Sequence, residues 1–407
     1  MNKASMSLSV AAQDDITTQA VIASNRVTSI DLLRGVVMII MALDHVRDYF
    51  HADSLRFDPT DLSQSNLILF LTRWITHFCA PVFVFLAGTS AFLYGQRKTT
   101  KELSIFLLKR GLWLILLEVT IVSFAWSFNR NFNFTGLQVI WALGISMIAL
   151  AALIHLPRRI IFIIGVIIVA GHNLLDAFHF DSFGWAALHE QKRFQVTDSH
   201  IIRVAYPVLP WIGIMALGYC FAKLFTTDFS TEKRTKWLWS AGIGVIALFI
   251  VLRGLNFYGD PNPWAVEASP TFTVLSFLNT EKYPPSLLYT AMTIGPSLIF
   301  LALMEKVNNR FTKKIIHIGR VPMFYYILHL YLIHALAMFG AEVSGFDWSD
   351  MVLHHRVRLD PQLKGYGFHL GVTYLVWIAV VISLYPLCKW YDKYKTSHRE
   401  KWWLSYL

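Results

Sequence analysis

The sequence predicts an all-α integral membrane protein, a polytopic bundle of about ten transmembrane helices with both termini on the cytoplasmic side. Three observations predict it. Of the 407 residues, 55% are apolar and 15% charged, and a mean hydropathy of +0.47 is far above that of a water-soluble domain. Apolar runs long enough to cross a bilayer recur along almost the whole chain. The Lys and Arg residues also collect in loops of alternate parity, which is how a membrane protein's topology is encoded.

In chain order, residues 1–26 are polar and lack the apolar core of a cleavable signal, so a disordered cytoplasmic tail is expected there. The membrane domain is expected over 27–390 and a cytoplasmic tail over 391–407. Helices are expected near 30–50, 67–94, 105–128, 136–156, 160–178, 203–225, 237–256, 285–304, 321–340 and 368–388, each an apolar stretch bounded by polar or proline-containing punctuation. With the N-terminus inside, Arg97, Lys98, Arg158, Arg159, Lys233, Arg234, Lys313 and Lys314 fall on the inner side. The outer loops, among them HADSLRFDPTD and HFDSFGWAALHEQKRFQVTD, carry most of the acids together with aromatics and prolines, a composition that suits folded loops.

Other classes are excluded on the same grounds. The net charge of +10 follows topology and not a nucleic-acid surface, so nucleic acid is not an expected partner. Cys79, Cys220 and Cys388 lie inside apolar segments, which argues for packing roles. Neither HExxH, a P-loop nor GxSxG occurs, no metal is expected, and only histidine frequency (His77, His172, His329) speaks for haem. The halves of the chain do not repeat each other's motifs, which disfavours a transporter.

Ionisable groups inside hydrocarbon are costly and face cavities or partners. In SIDLLRGVVMIIMALDHVRDYFH, Arg34 and His45 lie 11 residues apart, which places them within about 20° of one face and about 16 Å apart along the axis. Asp31 and Asp48 flank that stripe. It suits a long ligand in a water-lined tunnel between the two. The competing reading makes Asp31 and Arg34 an interfacial i, i+3 pair and Asp48 the neutraliser of Arg47. Arg73, His77, His172, Asn173, Asp176, Tyr283 and His329 are expected at the level of His45, around an outward-biased polar cavity. His329 and His334, five apart, cannot both face it. Glu118, deep in the third helix, is expected either to pair with a base such as Arg73 or to be held neutral.

These residues resemble a family. SIDLLRG…ALDHVRDYF, APVFVFLAGTSAF, GHNLLD, YPVLPWIGIMALGY, RGLNFYGDPNPW, GRVPMFYYILHLYLIH and the terminal WWLSYL are similar to bacterial membrane proteins related to the heparan-α-glucosaminide N-acetyltransferase catalytic domain. The wider group of transmembrane acyltransferases carries an Arg, ten intervening residues and a His on its first helix, a spacing that Arg34 and His45 match. The resemblance implies transfer of an acyl group from cytoplasmic acyl-coenzyme A, typically acetyl-coenzyme A, to a carbohydrate or related acceptor across a bacterial inner membrane. The heparan enzyme has Asn at the position of His45 and its active histidine a few residues later, where this chain has His51.

The stripe shared with Arg34 favours His45 over His51 as the base, with Asp44 or Asp48 orienting it. Direct transfer and an acyl-histidine intermediate stay open. Arg34, with Asp31 beside it, is expected to hold the donor's phosphates, while Arg73, His77, Asn173 or Tyr283 would stabilise an oxyanion. The outer tryptophans Trp185, Trp264 and Trp348 suit sugars. An exporter of a small anion or proton-coupled solute is the competing class, and association into homo-oligomers is left open.

Overall fold

The computed structural model describes residues 27–398 and 400–405; the expected tail over 1–26 lies outside them. The chain is mostly helical, and each of the ten expected stretches contains a helix. The first is α1 (Thr28–Phe50). A second rod comprises α2 (Leu67–Ile75), a 3-10 turn and α3 (Cys79–Gly95). The third is α4 (Thr100–Leu117), which runs through a π-helical turn, Glu118–Val122, into the short helix Ser123–Ser127. There follow α5 (Val139–Leu153), α6 (Arg158–Gly171), α7 (Leu209–Phe221), α8 (Thr231–Leu255), α9 (Pro270–Leu278), α10 (Leu287–Met304), α11 (Arg310–Arg320), α12 (Pro322–Val343) and α13 (Leu370–Ser397). Among the described residues, six helices are long and apolar enough to cross a membrane: the Leu67–Gly95 rod, α6 with its 3-10 extension, α8, α10, α12 and α13. Exposed apolar side chains on α6, α8 and α13, such as Ile167, Ile250 and Ile382, form the outer surface that lipid would cover.

Three sequence expectations are corrected. The fold is not purely α: β1 (Phe134–Leu137) pairs in parallel with β3 (His200–Val204), which pairs antiparallel with β2 (Lys192–Thr197). Arg203 and Val204 are therefore strand and not helix, and α7 waits until Leu209 because Pro207 and Pro210 exclude earlier helical hydrogen bonding. The last helix runs on to Ser397, past the expected boundary at 390, and a 3-10 turn occupies Trp402–Ser405.

α1 is central, packed against α3, α11, α12 and α13. Its crossing with α11 is backbone on backbone: a Cβ on Gly319 would lie 1.9 Å from the Asp31 carbonyl oxygen, and one on Gly35 would lie 2.3 Å from that of Ile315. Only glycine permits that approach. The two ends of the bundle differ. At the Arg34 end the turns are short, with a Thr99–Glu102 capping box starting α4 and Ser230 capping α8. At the His45 end, long loops bind one another. Asn279 donates to the Thr60 carbonyl at 3.0 Å, Asn129 to that of Leu353 at 3.1 Å, and the Phe368 amide to that of Phe50 at 2.6 Å.

Candidate active site

The last three turns of α1 place Met41, Asp44, His45 and Asp48 within the bundle. Successive residues on a helix point about 100° apart, so Asp44 and His45 face different neighbours. His45 faces α12. Its Nδ1 lies 2.7 Å from Nε2 of His329, with the rings nearly parallel at 8°. Nδ1 of His329 lies 2.9 Å from the Tyr325 carbonyl oxygen. A carbonyl only accepts, so His329 carries its proton on Nδ1 and offers the Nε2 lone pair to the N–H of His45. His45 in its neutral form is thereby fixed with a bare Nε2. Trp126 and Tyr326 meet the His45 ring edge-on at 5.0 and 6.1 Å, which limits its rotation.

Asp44 faces α2. Arg73 donates to both its oxygens, at 3.0 and 3.2 Å, Thr76 donates at 2.8 Å, and Arg47 approaches to 2.5 Å. Asp48 pairs with Arg47 at 2.8 Å. The expectation that Asp44 or Asp48 orients His45 is thus corrected: both carboxylates are spent on arginines. Arg47 still has Nε and Nη1 buried without a hydrogen bond among the described residues.

Lys282, which sequence reasoning passed over, lies in the loop before α10. It is buried, its ammonium sits 5.1 Å from the centre of the Tyr283 ring, and its charge acts on Asp44, His45 and His77. The Tyr283 hydroxyl lies 3.4 Å from that of Tyr206. Burial pushes the Tyr283 phenol up, but Lys282 and Arg73 together outweigh it and hold the pKa down at about 8. Asp58, in the loop after α1, shows the same field: burial raises it, while Arg73 and hydrogen bonds from Thr60 bring it below the usual carboxylate range. One cluster, rich in cations, therefore gathers Arg73, Arg47, Lys282, Tyr283 and Asp44 beside His45. His77 adjoins it, its ring 5.3 Å from that of Tyr289.

The remaining candidates sit elsewhere. His51 is buried and caps the short helix Ala52–Arg56, its Nδ1 accepting from the Ser54 amide at 3.2 Å. His172, Asn173 and Asp176 gather around His189, not His45. His334, as its spacing requires, turns away from His329 and lies 2.7 and 2.8 Å from the carbonyls of Ala125 and Met351. Among the described residues Glu118 pairs with no arginine; it accepts from the Trp141 amide at 2.8 Å and so caps the N-terminal turn of α5.

At the opposite end Arg34 donates to Asp31 at 3.1 Å, to Ser90 at 2.8 Å and to the Gly319 carbonyl at 3.3 Å. Arg320 reaches Asp31 at 3.4 Å and Asp392 at 3.6 Å. The i, i+3 pair is real, and it joins a basic surface made by α11, which also carries Arg310, Lys313, Lys314 and His317. Along the stripe between Arg34 and His45 the expected water-lined tunnel is closed: Met38 is 0% and Met41 5% exposed, so no water-sized route passes over them.

The family profile described as heparan-alpha-glucosaminide N-acetyltransferase, catalytic, matches residues 26–258. That segment holds Arg34, His45, His51 and Arg73, while Lys282, Tyr283 and His329 lie beyond it. Comparison with curated proteins gives no match. The profile covers more than half of the chain, and the chain belongs to the heparan-α-glucosaminide N-acetyltransferase catalytic family of membrane acetyltransferases.

Proposed function

We propose that the protein moves an acyl group, acetyl in the simplest case, from cytoplasmic acyl-coenzyme A to a carbohydrate hydroxyl or amine on the far side of a bacterial inner membrane. The N-in, C-in topology with ten crossings belongs to this reading. The observation that carries it is the His45–His329 pair, because it leaves His45 Nε2 with a free lone pair beside the cluster of Arg73, Arg47 and Lys282. The donor's phosphates would dock on the basic surface of α11, with Arg34 and Arg320 held ready by Asp31.

His45 Nε2 takes the proton of the acceptor O–H or N–H as that oxygen or nitrogen attacks the thioester carbonyl. The C–S bond then breaks, and the imidazolium returns the proton to the departing thiolate. His329 accepts from the His45 N–H throughout and holds the ring in place as charge develops. Lys282, Tyr283 and the unspent N–H groups of Arg47 supply donors for the oxyanion, each contributing about 3 kcal/mol. His51, engaged as a helix cap, serves structure in this scheme.

The test is to incubate the purified protein with radiolabelled acetyl-coenzyme A, with and without cell-envelope glycans. Thioester consumption that depends on acceptor and disappears in His45→Ala is expected. Label on histidine without acceptor would select the acyl-histidine route. Solute crossing a proteoliposome membrane with no donor consumed would overturn the enzyme reading in favour of a transporter.

A further inference from the structure

We infer that His172, Asp176 and His189 form a binding site for a divalent metal ion of the zinc class, apart from the His45–His329 pair. One ligand atom from each residue lies within 4.8 Å of the others. The site is assembled by local geometry. His172 opens the 3-10 turn that ends α6 and Asp176 closes it, so both lie at the same end of the helix. His189 arrives from the end of the short helix Phe183–Leu188.

The second observation concerns unspent nitrogens. His172 is 2% exposed, and neither of its ring nitrogens completes a hydrogen bond among the described residues, although the Pro285 backbone interacts with the ring. Leaving such a group unsatisfied is costly, and a cation would take the one lone pair that a neutral His172 offers. An Asp176–His189 ion pair at 2.9 Å with His172 merely alongside explains one contact and leaves the lone pair of the buried His172 unused.

The outer contacts also fit a metal site. Asn173 Nδ2 donates to Oδ2 of Asp176 at 2.8 Å, and Asn173 Oδ1 accepts from the Leu287 amide at 3.0 Å. The carboxylate is thus oriented with Oδ1 turned toward His189, the type of support that metal ligands receive. Ligand atoms about 2.1 Å from a tetrahedral ion lie about 3.4 Å from one another, so the Asp176–His189 contact needs to open by only about half an ångström. Two imidazoles and one carboxylate suit zinc better than magnesium or calcium, which take oxygen ligands. The Asp176 side chain, 23% exposed, gives the ion its way in and leaves a fourth position for water. Bound there, the ion ties the end of α6 to the segment that carries β2 and β3, and through Asn173 to the start of α10.

The full-length protein, purified in detergent and washed with EDTA, is titrated with zinc chloride by calorimetry and melted with and without zinc. One ion per chain is expected, with affinity reduced at least about tenfold in His172→Ala and in Asp176→Asn, and with a zinc-dependent rise in Tm that both variants lose. Should His172→Ala fail to fold, the nearly isosteric Asp176→Asn supplies the comparison. Absence of one-site binding in the wild type, or binding that Asp176→Asn leaves unchanged, overturns the assignment.

Discussion

His45 on α1 and His329 on α12 meet through Nδ1 and Nε2 at 2.7 Å, and the carbonyl behind His329 decides which nitrogen of His45 is free to react. Removing His329 should free the His45 ring to take either tautomer. His329→Ala is therefore expected to lower kcat by about 10²–10⁴-fold with little change in acceptor KM, while His329→Gln, whose amide oxygen can still accept from His45, recovers part of the loss. Steady-state kinetics on the purified variants checks this. Equal kcat values for His329→Ala and the wild type would remove the pair from the mechanism.

Asp44 compensates two buried guanidiniums, those of Arg73 and Arg47. Asp44→Asn leaves both short of negative charge and is expected to destabilise the protein by about 3–5 kcal/mol. Asp48 is paired with Arg47, and its side chain is 42% exposed, so Asp48→Asn should cost less than about 1 kcal/mol. Thermal melts in detergent compare the two. A reversed order would mean that Arg47 relies chiefly on Asp48.

The α1 stripe was legible because helical periodicity is a property of the sequence itself. Arg34, Met38, Met41 and His45 follow from counting, and the structure buries all four side chains wholly or largely. The same counting places Asp44 about 100° from His45, which already argued against it as the partner. His329, in contrast, meets His45 across 284 positions of sequence, and no local pattern encodes that contact. Glu118 could be recognised as buried, but its partner is the Trp141 amide, and a backbone N–H has no letter in a sequence. The β3 strand HIIRV ran unnoticed into an apolar stretch read as helix, although Pro207 and Pro210 marked the break. Lys282 was missed because it sits between residues read as turn punctuation, and its burial depends on loops that pack only in three dimensions.

Tyr283 gives the site a pH limit. Its phenol is pushed up by burial and pulled down further by Lys282 and Arg73, to about 8. As an oxyanion donor it works only while protonated, so kcat/KM should be level from neutral pH up to about 8 and fall about tenfold per unit above it. Lys282→Met removes the largest depressing charge and should move that break upward. Tyr283→Phe should give a lower rate without the break. A wild-type profile level to pH 9.5 would exclude the phenol as donor.

Glu118 is assigned to structure and not to chemistry. Glu118→Gln keeps an oxygen for the Trp141 amide and should retain both activity and stability. Glu118→Ala leaves that amide unsatisfied and is expected to lower stability by about 1–3 kcal/mol, with kcat unchanged in the folded fraction. Loss of turnover in Glu118→Gln would show instead that its charge takes part in the reaction.

Met38 and Met41 stand between the basic rim and His45, and both are closed over. A pantetheine arm travelling along the Arg34–His45 stripe must displace them. Methionine suits that duty: it is unbranched, has three rotatable bonds and repacks at low cost. A stiff side chain of similar volume should keep the closed state intact yet resist opening, since β-branching restricts χ1. Met38→Ile is therefore expected to change stability by less than about 1.5 kcal/mol while slowing donor association severalfold. Met38→Ala, with space opened in the stripe, should speed association at a stability cost of about 2–5 kcal/mol. Stopped-flow binding of a fluorescent acyl-coenzyme A measures both rates. If the two substitutions leave the association rate alike, the donor reaches His45 by a path that does not pass Met38.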